Sequence, residues 1–422
     1  MTPARRIVWL LALVSLVGYA LRTNIAIAQE YMAPELGLSM VQMGVISAWG
    51  FQLAYAVFQI PGGFLGDRYG SRLVMGCAVL GWSVASLASA MVGGGAAMAF
   101  ATLFGARVLL GTAQAATYPV AAMATAQYVP AGQRVGASAL YLAAASLGSA
   151  LAPLTLAPLM VYAGWRSVFI ASAGIGLVTA LVWFALAPRR AEGAEPHRFV
   201  PMSEQLREAT RLFRNRPLLL LSTSYLLHSA VYFVFVFWFF RYLTEARGFS
   251  VLASGARASI PYLMACIAAP LAGLAADRLS RRLSPFVARR RVAMTGLTLA
   301  AICVMAGANL PTPGLAIITL SASVACLVSV EAPFWTTATA LAPEAPGSAG
   351  GVLNLMGNLG GVLSIWLVPL MKDTWGWTPM FVFWSGVALV AALLWLTVRA
   401  PEMTSYVGQP APVIPSTSQR TT

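Results

Sequence analysis

Two arginines stand inside long apolar runs where little else could do chemistry. Arg22 lies about 15 residues into the run 7–28, roughly 22 Å along a helix that rises 1.5 Å per residue. Arg107 lies about 11 residues into the run 96–122. A guanidinium in such surroundings is costly, so it usually faces a water-filled cavity or a partner. Its planar fork matches a carboxylate through two parallel hydrogen bonds. Two such groups point to a binding place for a small anion. The competing reading pairs either arginine structurally with Glu331 or with backbone carbonyls. Glu331 is the one acid well inside an apolar run, in Val330-Glu331-Ala332-Pro333-Phe334-Trp335. Pro333 disfavours regular helix at Ala332, which fits a broken, cavity-lining segment. The carboxylate could carry a coupling proton or pair with an arginine while the site is empty. It could equally be a gate or structural ion pair near the cytoplasmic end.

Neutral side chains complete the candidate set. Tyr19 and Tyr55 could hydrogen-bond a ligand oxygen or simply pack. Asn354 and Asn358, four apart among glycines, share one helix face and could meet ligand hydroxyls or join closely packed helices. His228 is either an interior residue or a functional one, and Arg257, near the outer end of its run, reads as snorkelling to the interface. Cys77, Cys266, Cys303 and Cys326 all lie in apolar runs, none at metal-ligand spacing. With only His197 and His228 as histidines and no nucleophile–base pair that spacing recommends, no enzyme, metal or cofactor is expected.

The elements that must position these residues are membrane helices. Hydrophobic residues make up 59% of the 422 positions and charged residues 9%, with mean hydropathy +0.75. Ordinary soluble domains carry about 25% charged residues, so this chain could not cover a water-facing surface. Apolar runs at 7–28, 41–62, 73–93, 96–122, 136–162, 166–187, 218–240, 253–275, 292–309, 314–341, 347–371 and 378–398 predict twelve spans. The first is too long for a signal h-region and reads as a retained span. Although net charge is +14, the basic residues sit in short stretches between runs, as topology signals rather than a nucleic-acid face. Placing the N-terminus in the cytoplasm puts 20 of the 27 there. The expected location is a bacterial inner membrane, multi-pass, with both termini cytoplasmic.

The expected fold is an all-α membrane protein of two parallel-repeat six-helix bundles. Its parts are a first half 1–187, a cytoplasmic linker 188–217, a second half 218–399 and a disordered tail 400–422. Within the linker, Ser203 could cap a short helix on the membrane surface. Three echoes carry the repeat. Gly63-Phe64-Leu65-Gly66-Asp67-Arg68 returns 210 residues later as Gly273-Leu274-Ala275-Ala276-Asp277-Arg278. Leu156-Ala157-Pro158-Leu159-Met160 returns after 211 as Leu367-Val368-Pro369-Leu370-Met371, and Gly164-Trp165 after 212 as Gly376-Trp377. Six spans is an even number, so the repeats are parallel, and sites in such proteins lie between the halves near mid-membrane.

With these features the sequence resembles the major facilitator superfamily over residues 5–400. Gly63-x-Leu65-x-Asp67-Arg68-x-Gly70-x-Arg72 looks like its signature loop. Asp67, Arg68, Arg72, Asp277 and Arg278 are then a conformational latch that breaks as the halves rock. Finer segments resemble the anion:cation symporter branch of bacterial sugar-acid transporters, sialin and the vesicular glutamate transporters. These are Tyr19-x-x-Arg22-x-Asn24, Tyr55-x-x-x-Gln59-Ile60-Pro61-Gly62-Gly63, Arg107-x-x-x-Gly111, Gly164-Trp165-Arg166 and Asn354-x-x-Gly357-Asn358-x-Gly360-Gly361. The resemblance implies alternating-access uptake of a small organic anion, a carboxylate or sugar acid, by a monomer. Substrate contacts fall to Arg22, Arg107, Tyr19, Tyr55, Asn354 and Asn358. Proton coupling is the branch expectation, yet Leu21 and Gln114 stand where the sugar-acid symporters carry acids. Glu331 is left for coupling or gating. Efflux of drugs or metabolites is the alternative, and a transporter-like sensor a more distant one.

Overall fold

Without water in the bilayer core, backbone N–H and C=O groups must pair inside their own segment, so each apolar run becomes a helix. The computed structural model describes residues 2–130, 133–188, 207, 211, 212, 214–343 and 345–399. Among them, twelve helices are long and apolar enough to cross a membrane: α1 (Pro3–Leu36), α2 (Met40–Gln59), α3 (Ser71–Ala90), α4 (Ala96–Tyr128), α5 (Gly136–Ala163), α6 (Trp165–Leu186), α7 (Arg216–Ala246), α8 (Val251–Ser280), α9 (Pro285–Asn309), α10 (Pro313–Leu341), α11 (Ser348–Trp375) and α12 (Trp377–Leu394). Several outrun their apolar stretch by charged turns. α1 starts at Pro3 because the Thr2 side chain caps the Arg5 N–H, and α9 takes in Arg289, Arg290 and Arg291. Most of the linker 188–217 and all of the tail 400–422 lie outside the described residues, as does the surface helix expected there.

The two bundles pair their helices alike. α1 packs on α5 as α7 packs on α11, and α3 on α6 as α9 on α12. Glycine permits the closest approaches. A Cβ on Gly148 of α5 would collide with the Leu16 carbonyl of α1, and one on Gly360 of α11 with the Leu226 carbonyl of α7. α5 and α11 both end on a glycine with positive φ, Gly164 at 78° and Gly376 at 80°, followed by Trp165 and Trp377. That conformation favours glycine and reverses the chain into the next helix.

Successive crossings put residues 70, 187 and 281–284 at one end, rich in arginine, and residues 37–39, 164, 247–250 and 376 at the opposite end. The halves meet at mid-depth and towards that opposite end. Ser259 Oγ of α8 donates to the Ala150 carbonyl of α5 at 2.6 Å, and Gly44 of α2 packs on Ile365 and Pro369 of α11. A row of alternating charges closes the contact: Glu30 of α1 lies 3.4 Å from Arg241, which lies 2.9 Å from Glu245, which lies 2.5 Å from Lys372 of α11. Thr244 Oγ1 also donates to Glu30, at 3.1 Å. Within the first half, Glu35 takes Arg166 and the Trp165 indole, tying α1 to α6.

Candidate functional site

Arg22 sits near the middle of α1 and is only 7% exposed. Its guanidinium is boxed by aromatic rings, 4.7 Å from the centroid of Tyr55, 5.0 Å from Phe51, 5.7 Å from Tyr19 and 5.5 Å from Phe233 of the second half. Ring faces attract the cation but offer no lone pairs, so hydrogen-bonding capacity is left over. One Nη donates to Gln52 Oε1 at 2.7 Å. Gln52 lies in a π-helical stretch, Ile46–Gln52, that interrupts α2 and turns the residue toward α1.

From Gln52 a ladder of amides crosses between the halves. Gln52 Nε2 donates to Asn358 Oδ1 at 2.6 Å, and Asn358 Nδ2 donates to the Asn354 carbonyl at 2.8 Å. Asn354 in turn donates to Gln59 back on α2. Both asparagines therefore lie on the α11 face turned to the first half. No carboxylate pairs with Arg22 among the described residues. Beside the guanidinium lies a small pocket, walled by Tyr19, Tyr55, Trp82, Gln114 and Tyr118.

Arg107 lies deeper in the first half and is 2% exposed. One Nη donates to Asn24 Oδ1 at 3.3 Å, its carbon lies 5.4 Å from the Phe169 ring centroid, and its Nε has no partner. Asn24 is itself held, donating to Ser172 Oγ at 3.3 Å. Arg107 is not part of the pocket wall. Neither arginine meets Glu331, so the structural pairing that the sequence left open is not made.

Glu331 stands where α10 is interrupted. The break falls at Val330, between Ser329 and Glu331, and not at Ala332 as the proline suggested. The ring of Pro333 clashes with the carbonyl four residues back, at Ser329, so the helix yields there and restarts with proline in its first turn. α4 breaks in the same way at Ala116, three residues before Pro119. Glu331 Oε2 accepts from the Tyr225 hydroxyl at 2.8 Å and from the Trp335 indole at 3.2 Å. His228 stacks on Tyr225 with centroids 5.3 Å apart. Its Nε2 bonds the Leu327 carbonyl at 2.9 Å, and because a carbonyl only accepts, the ring proton is on Nε2 and Nδ1 is left without a partner.

The remaining expected residues fall elsewhere. Arg72 donates to the Phe184 carbonyl, and the Trp183 indole returns a bond to the Arg72 carbonyl at 2.8 Å, so Arg72 is tied to α6 of its own half. Arg68 stacks over Tyr69 at 5.2 Å. The Asp67 side chain lies outside the description, and Asp277 contributes a backbone carbonyl to Ser280. Arg257 stacks on Phe249 at 4.2 Å near the opposite end of the molecule from the arginine-rich loops. Sequence reasoning overlooked Gln52, Phe51, Phe233 and Tyr225. A polar Gln52 inside the run 41–62 was a usable signal; Phe233 and Tyr225 come from distant sequence and gave none.

Comparison with known proteins adds relatives to this geometry. A profile described as "Major Facilitator Superfamily" matches residues 8–365. The D-galactonate transporter of Escherichia coli O6:H1 is 29% identical over 406 residues, covering 90% of this chain and 92% of that protein. The probable galactarate/D-glucarate transporter GudP of Escherichia coli K12 is 29% identical over 441 residues, covering 96% of each. Among solved structures, a bacterial homolog of the human lysosomal transporter Spinster superposes with TM-score 0.80 at 18% identity, over 94% of this chain and 97% of that one.

Proposed function

The chain belongs to the Major Facilitator Superfamily, and we propose that it imports a small organic carboxylate, a sugar acid, by alternating access. The observation that carries this reading is Arg22: a guanidinium between the halves, boxed by rings and bonded to one neutral amide. A carboxylate displaces Gln52 and takes the planar fork in two bonds, gaining charge-assisted hydrogen bonds of about 1.5–3 kcal/mol each. Arg107 adds a second positive charge behind the first. Tyr19 and Tyr55 donate to substrate oxygens, and the amides of Asn354 and Asn358, freed from the ladder, meet substrate hydroxyls.

Movement follows from where this site sits. Its ligands come from both halves, so a bound sugar acid replaces the amide ladder as the bridge between them. With the arginine-rich end in the cytoplasm of a bacterial inner membrane, the charge row from Glu30 to Lys372 lies on the outer side. In this reading the site lies on the cytoplasmic side of a closed outer contact, with Asp67, Arg68, Arg72, Asp277 and Arg278 as the latch of the opposite state. A monomer contains every ligand named, as one half 1–187 and a second half 218–399.

The test is uptake of radiolabelled D-galactonate, D-galactarate and D-glucarate into right-side-out vesicles. Entry of at least one acid, abolished in Arg22→Ala, is the expected result. An outward flux alone makes the chain an exporter and sinks the proposal.

A further inference from the structure

We propose that the proton driving uptake binds at Oε1 of Glu331, in a site on the second half built with Tyr225 and Trp335. This rests on the sugar-acid reading above and adds to it the place and half of the coupling ion. Three observations support it. Glu331 Oε2 already takes two donors, from Tyr225 and Trp335, whereas no described hydrogen bond or ion pair engages Oε1. The residue is partly exposed. A carboxylate at membrane depth without a cation partner is costly, and a proton is the smallest charge that relieves it.

The first half offers no alternative beside Arg22. Its acids are Glu30, Glu35 and Asp67 alone. Glu30 and Glu35 are engaged near the end of α1, and Asp67 is in the last turn of the helix that ends at Tyr69, at the arginine-rich end. At the two positions where acids were expected, Leu21 is buried and Gln114 donates to the Gly18 carbonyl at 3.0 Å.

A physical link joins the proton site to the anion site. The ring of Tyr225 lies against Gly357, where an added Cβ would come 2.5 Å from Cε1. Gly357 directly precedes Asn358, the rung that holds Gln52. An anion that takes Arg22 from Gln52 releases Asn358, and the α11 backbone carries that change to the ring that donates to Glu331. The groups around Glu331 are Tyr225 of α7, with His228 stacked on it, and Trp335 on its own helix, while Arg289 of α9 reaches the Thr336 carbonyl of that helix at 3.2 Å.

The experiment uses the full chain in proteoliposomes, with D-galactonate as probe and an imposed inward proton gradient. Wild type is expected to accumulate the acid above equilibrium. Glu331→Gln is expected to drop accumulation to the equilibrium level while still exchanging labelled for unlabelled acid in counterflow. Gradient-driven accumulation by Glu331→Gln at the wild-type level overturns the proposal. So does a wild type that exchanges but never accumulates, which leaves the transport reading standing. Absence of Arg22-dependent exchange for D-galactonate, D-galactarate and D-glucarate alike overturns the transport reading and this inference with it. If Glu331→Gln loses both activities, Tyr225→Phe decides. Removing one donor from the ionised carboxylate moves the pH of half-maximal uptake upward by about one unit. An unmoved profile overturns the proposal.

Discussion

Arg22 stands in the company of neutral groups, and under the proposed function Gln52 is the one that lets go. On that proposal its bonds to the guanidinium and to Asn358 are both broken when a carboxylate binds, so Gln52 is expected to stabilise the empty site against the filled one. Truncating it leaves Arg22 and Asn358 each short of a partner in the empty protein, at a cost of about 1–3 kcal/mol. Gln52→Ala is therefore expected to lower the half-saturating concentration in counterflow, by about tenfold for each 1.4 kcal/mol so transferred. The same variant is expected to melt at a lower temperature without ligand. A half-saturating concentration that rises instead would make Gln52 a substrate ligand rather than a stand-in. At this scale the sequence was most legible where a residue's type clashed with its neighbours. Arg22, Arg107 and Glu331 announced themselves as charges in apolar runs. Gln52 did so more faintly, and Tyr225, Phe233 and Phe51 not at all, because an aromatic residue in a membrane helix is ordinary until a cation or carboxylate is seen beside it.

Helices α1, α7 and α11 hold the end opposite the arginine-rich loops shut through Glu30, Arg241, Glu245 and Lys372. Only Glu30 belongs to the first half, so it is the single charge through which this row joins the halves. Glu30→Gln keeps the shape and removes the charge, leaving Arg241 to Glu245 alone. The expected consequence is a looser contact at that end. It can be read from a cysteine at Ser259, whose hydroxyl bonds across the halves to Ala150 and which is 1% exposed. In a background lacking the four native cysteines, Ser259→Cys should react with a membrane-impermeant maleimide several-fold faster once Glu30 is neutralised, a gain corresponding to about 1 kcal/mol. An unchanged rate would mean that packing around Gly44, and around Gly255 of α8 against Pro153 and Ala157 of α5, closes the end by itself. Hydropathy found every one of these helices but missed their ends, because charged turns such as Arg289 to Arg291 continue a helix past its apolar core. Proline placed the break in α10 two residues late, since its clash acts on the carbonyl four residues behind it.

Across the whole molecule the twofold design was already visible in echoes 210 to 212 residues apart, and the reason is local. One echo marks a backbone conformation that favours glycine, the positive φ at Gly164 and Gly376, and the same spacing relates Gly148 and Gly360, each pressed on a carbonyl of the neighbouring helix. What lies between the halves was not visible. The amide ladder joins residues some three hundred positions apart, and no spacing rule connects Gln52 with Asn358. The proposed function requires this interface to bind a carboxylate through Arg22. It is tested most directly by the thermal stability of purified protein with D-galactonate, D-galactarate and D-glucarate, wild type beside Arg22→Ala. At a ligand concentration a hundredfold above its dissociation constant, binding stabilises by about 2.7 kcal/mol. The expected result is that at least one acid raises the melting temperature of wild type and leaves Arg22→Ala unmoved. Equal stabilisation of both proteins, or of neither by any of the three acids, would contradict it.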